Sequence, residues 1–227
     1  MEQQISGGWT LERIQGKTTS AAYFDPAHGE WMSTRAALHE NIINALMAGK
    51  RAKTTPKLWI VMGGIGSGKS TLIASELAPK HAGAVVIDVD RLWSKIPEYE
   101  ELAKEDWKTV GDRTYAEVRY VRDAALAEAA ARKLDIILEV SGGKHSEEVA
   151  SILAHGGYGV SVDCVDCSPD EARERINKRA NANPTPEDNL WCSPQRPEFP
   201  DKFDYQNVDM AVFRREYERR LRIHTGT

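Results

Sequence analysis

The sequence predicts an α/β fold of the P-loop, nucleotide-kinase type: a mostly parallel central sheet flanked by helices, with an N-terminal helical extension and a lid region. Three observations carry that expectation. Short apolar runs alternate with helical tracts from Leu58 onward. The first of them, "LWIVM", breaks abruptly into "GGIGSGKST". The second, "AVVIDVD", runs out into two carboxylates, where open parallel sheets bind their ligands.

The first thirty residues read as polar and irregular, with "YFDPAHGEW" as a turn-rich entry. From Thr34, "TRAALHENIINALMAG" places Ala37, Leu38, Ile42 and Leu46 on one helical face, and Gly49 closes it. Leu58 to Met62 is apolar throughout, as suits a strand buried on both faces. A helix follows the glycine loop from Lys69 to Leu77 and is expected to end at Pro79. Ala84 to Val89 reads as the second strand, "RTYAEVRYVRDAALAEAAARK" as a long helix and "DIILEV" as the third strand. "SEEVASILAHGGY" is helix and turn, "GVSVDCV" a fourth strand and "SPDEARERINKRANA" a Ser-capped helix. Alternation of this kind implies right-handed crossovers.

After Asn183, Pro184, Pro186, Pro194, Pro197 and Pro200 mark a structured loop or lid rather than a helix. "VDMAVFRREYERRLRIH" then returns to helical periodicity, its arginine-rich face solvated or paired with acidic surface elsewhere. One domain is expected over 1–227: an extension (1–33), a core (34–183), a Pro-rich lid (184–206) and a C-terminal helix (207–227).

Composition narrows the functional classes. A net charge of -4 argues against a nucleic-acid binder that relies on bulk positive charge. No apolar run approaches the roughly 20 residues that span a bilayer, so no membrane role is expected. The N-terminus lacks a basic segment followed by an apolar core, so the expected address is the cytosol. Cys164 and Cys167 form a Cys-x-x-Cys with Cys192 alone downstream; no second pair completes a zinc site, and all three read as reduced thiols.

Gly63, four residues, Gly68, Lys69 and Ser70 satisfy G-x-x-x-x-G-K-[ST]. Through Gly63, Gly64, Ile65, Gly66, Ser67, Gly68, Lys69, Ser70 and Thr71 the backbone N–H groups can turn inward around an anion. Lys69 supplies charge for the β- and γ-phosphates, Ser70 a hydroxyl for Mg²⁺, and the helix beginning there its positive dipole end. The spacing leaves ATP and GTP both open as donor, although the N-K-x-D base-reading motif of GTPases is absent. In "VVIDVD", Asp88 and Asp90 share one face if the strand persists; such a carboxylate can take a proton from an attacking hydroxyl or organise Mg²⁺, with Asp88 the metal candidate beside Ser70. The competing reading is that Asp90 caps the helix beginning "RLWSKI".

These residues resemble the zeta toxin kinases of bacterial toxin–antitoxin systems, from "RAALHENII" through "VMGGIGSGKST" and "VVIDVDRLWSKIPEY" to "DIILEVSGG" and "GGYGVSVDCV". The family's Asp-x-Asp, Pro-x-Tyr and Glu-Gly-Thr segments read here as Asp88-Val89-Asp90, Pro97-Glu98-Tyr99 and Glu139-Val140-Ser141. Ile96 stands where the family often has His, and Val140-Ser141 replaces Gly-Thr. The resemblance implies ATP-dependent phosphorylation of a hydroxyl on UDP-N-acetylglucosamine or a related nucleotide sugar, with Asp90 as base and an antitoxin as partner.

Lid arginines are expected to screen the moving phosphoryl group, and Arg179 and Arg196 are the candidates. Arg179 follows Arg175 by four and shares its helix face. Tyr99, Arg113, Glu117, Glu139 and Ser141 are candidates for the acceptor pocket, whereas His39 reads as structural. Left open are other acceptors (an antibiotic, a nucleoside, a polynucleotide end) and a nucleotide-regulated binding module without transfer activity.

Overall fold

A computed structural model describes residues 4–5, 9–10, 14, 16–106, 109–141, 144–181 and 211–226. Its N-terminal part is more regular than its polarity suggests. Strands β1 (Gln4–Ile5) and β2 (Trp9–Thr10) pair antiparallel. Helix α1 (Thr19–Tyr23) starts where the Thr18 hydroxyl accepts the Ala21 N–H at 3.1 Å. Strands β3 (Phe24–Asp25) and β4 (Glu30–Trp31) then form a hairpin. Asp25 turns it by accepting the Ala27 N–H, and Gly29, at φ +69, brings the chain back. The turn-rich entry expected at "YFDPAHGEW" is the turn of this hairpin, and the described residues around it are more regular than expected. Helix α2 (Ser33–Met47) follows, and Gly49 at φ +72 ends it.

The main sheet of the described residues has four parallel strands in the order β6-β7-β5-β8. β5 (Lys57–Met62) lies between β7 (Ile136–Val140) and β8 (Gly159–Cys164), with β6 (Val85–Ile87) at one edge. From β5 the chain enters α3 (Lys69–Leu72), a π-helical turn (Ile73–Leu77) and α4 (Ala78–Lys80). Pro79 does not end this helix. The wider turn lets the Ala78 N–H reach Ile73 O, five residues back, and the missing Pro donor is absorbed there.

β6 stops at Ile87, two residues short of the expected end. Asp88 leaves the strand because its side chain accepts the Asp90 N–H at 2.9 Å and caps α5 (Val89–Trp93). The two aspartates consequently do not share a strand face, and the capping residue is Asp88 rather than Asp90. Helices α6 (Tyr99–Asp106) and α7 (Val110–Ala131) lead to β7, α8 (Lys144–His155) connects β7 to β8, and α9 (Pro169–Asn181) follows β8. The C-terminal helix is α10 (Ala211–Thr225).

Period-2 alternation sorts the sheet into two cores. Leu58, Ile60, Ile136 and Leu138 pack on the alanine-rich half of α7 and on Val149 and Leu153 of α8. Trp59, Val61 and Ile137 face the other way, onto Ile73 beyond the glycine loop. A third core joins the extension to α5–α7 through Ile14, Tyr23, Trp93, Tyr99 and Val118. The arginine-rich face of α10 is partly paired. Arg220, 3% exposed, bonds Glu128 and Glu40, and Arg219 bonds Glu216. Among the described residues no helix is long and apolar enough to cross a membrane.

Candidate functional site

The glycine loop joins β5 to α3 at the carboxyl edge of the sheet. Gly66 and Gly68 stand at φ +77 and +106, which side chains with a Cβ rarely adopt, and Gly68 is the N-cap of α3. A Cβ on Gly63 would lie 2.2 Å from Val165 O, so the loop and the segment after β8 touch backbone to backbone. Lys69 Nζ donates to Gly64 O at 3.1 Å and lies 3.7 Å from Glu139 Oε1. The Ser70 hydroxyl donates to the same Glu139 oxygen at 3.1 Å.

Glu139 is therefore the acid that meets the loop, placed there because residue 139 of β7 pairs with Val61 beside it. Burial and then the charge of Asp88 push its carboxyl up, with Lys69 and Ser70 opposing. Its second oxygen, Oε2, is buried and has no hydrogen-bond partner among the described residues. A buried, under-satisfied carboxylate beside a hydroxyl is a chemical fit for a divalent cation bridged to phosphates. Mg²⁺ needs only one or two protein ligands when water and phosphate supply the rest. That agrees with the lack, among the described residues, of any cluster of three or more His, Cys, Asp or Glu able to cage a metal.

The sequence matches the family described as Zeta toxin over residues 43–207. The chain belongs to the zeta toxin family. No curated protein matches it by sequence. Among solved structures, a chain from the PezAT chromosomal toxin–antitoxin system of Streptococcus pneumoniae is similar at 23% identity and TM-score 0.58, over 64% of this chain and 61% of that one. The AvrRxo1-ORF1:AvrRxo1-ORF2 complex with ATP is similar at 17% identity and TM-score 0.53, over 76% and 61%. The same complex with sulphate ions gives 16% and 0.52, over 72% and 59%. This zeta toxin chain thus spans about three-fifths of the length of those relatives, and what they share with it is the fold: a parallel sheet flanked by helices.

The predicted residues divide. Gly63 to Thr71, Asp88 and Glu139 gather at the sheet edge; Asp90 is half-buried in the first turn of α5, and Ser141 is exposed directly after β7. Asp88 Oδ2 also lies 3.4 Å from Arg91. Two acceptor-pocket candidates are corrected by burial. Tyr99, 1% exposed, lies in the core against Trp93. Glu117, 0% exposed, has both oxygens bonded to Arg35, with His39 on one of them. Arg113 is corrected too: it bonds Ile14 O, Lys17 O and Glu105, tying the extension to α7. His39, 2% exposed, is part of the Glu117 cluster.

Arg179 lies on α9, but its side chain falls outside the described residues, as do Arg196 and the whole 184–206 stretch. One turn before it, Arg175 does what sequence reasoning missed. Its Nη1 donates to Gly66 O at 3.1 Å and Ser67 O at 3.0 Å, holding the loop's carbonyls outward and thereby favouring inward amides. A contact to backbone carbonyls leaves no spacing signature, so no sequence signal could have found it.

Proposed function

We propose that this zeta toxin is a kinase that transfers the γ-phosphoryl group of ATP to a hydroxyl of a small molecule, a nucleotide sugar such as UDP-N-acetylglucosamine. The observation that carries the reading is the convergence of Lys69, Ser70 and the under-satisfied Glu139 at the mouth of the glycine loop. A hydrolase or a switch shares the loop, so the acceptor is the part that experiment must supply.

The loop amides and Lys69 bind the β- and γ-phosphates, and the α3 N-terminus adds its dipole. Ser70, with Glu139 and Asp88 beside it, would hold Mg²⁺, which would supply charge neutralisation at the phosphates. Asp88 also caps α5 and faces Arg91, which sets that turn. Asp90, in the same turn, is assigned the proton of the acceptor hydroxyl. Arg179 and Arg196 are assigned to screen the transferring group, and Ser141 to orient the acceptor. Family membership supports a growth-arresting role restrained by an antitoxin, which is assigned here to cover the glycine loop.

The test is incubation with γ-labelled ATP and a panel of nucleotide sugars, nucleosides and antibiotics. Label is expected on a nucleotide sugar and not with Lys69→Ala. Label found only as free phosphate rejects the kinase reading.

A further inference from the structure

Cys164 and Cys167 have no role in the proposed transfer, yet they bracket the segment that backs the glycine loop. Val165 continues the β8 ladder by donating its N–H to Met62 O at 2.8 Å. Its carbonyl is the atom that Gly63 abuts, 2.2 Å from where a Cβ would stand. Two residues on, Cys167 Sγ lies 3.8 Å from Gly66 O, a weak thiol hydrogen bond. From α9, Ala172 O would be 2.9 Å from a Cβ on Gly66, and Arg175 holds the Gly66 and Ser67 carbonyls. Residues 164–168 are thus a strap under the loop. Both thiols are unbonded to each other; Cys164 is exposed and Cys167 half-buried.

We infer that Cys164 and Cys167 are a thiol-oxidation site: as dithiol the strap supports the glycine loop, and as disulfide it releases it. A disulfide fixes the two sulfurs about 2.05 Å apart with Cα atoms within about 7 Å. The Cys167 thiol faces Gly66 O, and once bonded to Cys164 its sulfur carries no S–H to donate to that oxygen. The Cys164 backbone is held in the ladder opposite Met62. Gly66 O then loses its thiol donor, and the strap that Gly63 abuts at Val165 O is closed into a short disulfide ring.

The co-reactant is a low-molecular-weight disulfide such as oxidised glutathione. The exposed Cys164 thiolate attacks one of its sulfurs and releases one glutathione thiolate. The Cys167 thiolate then attacks Cys164 Sγ and displaces the second glutathione. The protein loses two electrons, the small disulfide gains them, and the two thiol protons pass to the released thiolates.

The inference rests on the nucleotide-site reading, and the experiment separates the two. In a Cys192→Ser background, which removes the third cysteine, the protein is treated with oxidised glutathione. The Cys164–Cys167 link is read by peptide mass, and binding of a non-hydrolysable ATP analogue by calorimetry. Expected are an intramolecular link, affinity at least about tenfold weaker (about 1.4 kcal/mol), recovery with dithiothreitol, and no such link with Cys164→Ser. An oxidised, linked protein that binds as tightly as the reduced one overturns the inference, as does failure of the link to form. A reduced protein that binds no nucleotide overturns the site reading instead.

Discussion

Replacing Arg35 by Met isolates the ion cluster that ties the extension to the core. Arg35 is 0% exposed. Its Nη1 and Nη2 each reach Glu98 at 2.8 Å, Nη2 also reaches Glu117 Oε2 at 2.8 Å, and the guanidinium lies 4.3 Å over the Tyr23 ring. Burial works against both charges of the Arg35–Glu117 pair. Hydrogen bonds from His39 and Arg35 nonetheless pull the Glu117 carboxyl down to about 2, and those to Glu117 and Glu98 push Arg35 up. Met fills much of the volume but leaves two carboxylates at 0% exposure without their cation. Removing one partner of a buried pair costs about 3–5 kcal/mol, and with two acids orphaned the loss should sit near the top of that range.

The pH dependence gives the argument its sharper edge. In the wild type, Glu117 titrates below its unfolded value of 4.5, so its contribution is complete above that pH and is lost as pH falls toward 2. In the variant, burial without Arg35 works against the ionised Glu117 carboxyl, so stability is lost as pH rises. Urea unfolding of both proteins at about pH 5 and about pH 8 reads both effects. A cost under about 1 kcal/mol, ordinary for an exposed pair, or the same pH slope in both proteins refutes the reasoning. If the variant does not fold, Glu117→Gln provides the milder case: destabilised near neutral pH, with less loss on acidification.

Glu139→Gln should raise the melting temperature of the ligand-free protein at neutral pH. The folded carboxyl titrates above its unfolded value, so ionisation destabilises the fold as pH rises through the folded pKa, and Gln removes that cost. The same variant should lose most of the further stabilisation given by Mg²⁺ with an ATP analogue; an unchanged ligand shift contradicts the placing of Glu139. Gly63→Ala should cost about 1–3 kcal/mol by overpacking against Val165 O and weaken nucleotide binding with it, seen in parallel unfolding and calorimetry. Arg175→Ala should weaken nucleotide binding while the global unfolding midpoint moves little, since Arg175 is exposed and what it holds is two loop carbonyls. Equal affinity in that variant removes Arg175 from the loop's support.

What the sequence made legible follows from the physics of each signal. Leu58 to Met62 could be read as a strand because burial on both faces leaves an unbroken apolar run, and the glycine spacing is dictated by the turn itself. The Asp-x-Asp segment could not be resolved, because a strand end and a helix cap present the same letters; the bond from the Asp90 N–H to Asp88 decides it. Tyr99 and Glu117 were misplaced for a related reason. A tyrosine after a proline, or an acid on a long helix, looks alike whether it faces ligand or core, and only the position of Arg35 and Trp93 shows the latter. The extension was read as irregular because its core residues, Ile14 and Tyr23, are sparse and non-periodic, docking one at a time. Glu139 was legible as a candidate through the resemblance of Glu139-Val140-Ser141 to the family's Glu-Gly-Thr segment, but its contact with Ser70 depends on the register of β7 against β5.

The central claim is transfer of a phosphoryl group to a hydroxyl, and the measurement closest to it is the fate of the γ-phosphate. Purified protein, γ-labelled ATP, Mg²⁺ and a nucleotide sugar are incubated, and the sugar is analysed by mass and label for wild type, Lys69→Ala and Asp90→Asn. The account predicts a singly phosphorylated nucleotide sugar from the wild type and none from either variant. Undiminished transfer by Asp90→Asn contradicts the assignment of the base, and label released by the wild type only as inorganic phosphate contradicts the kinase itself.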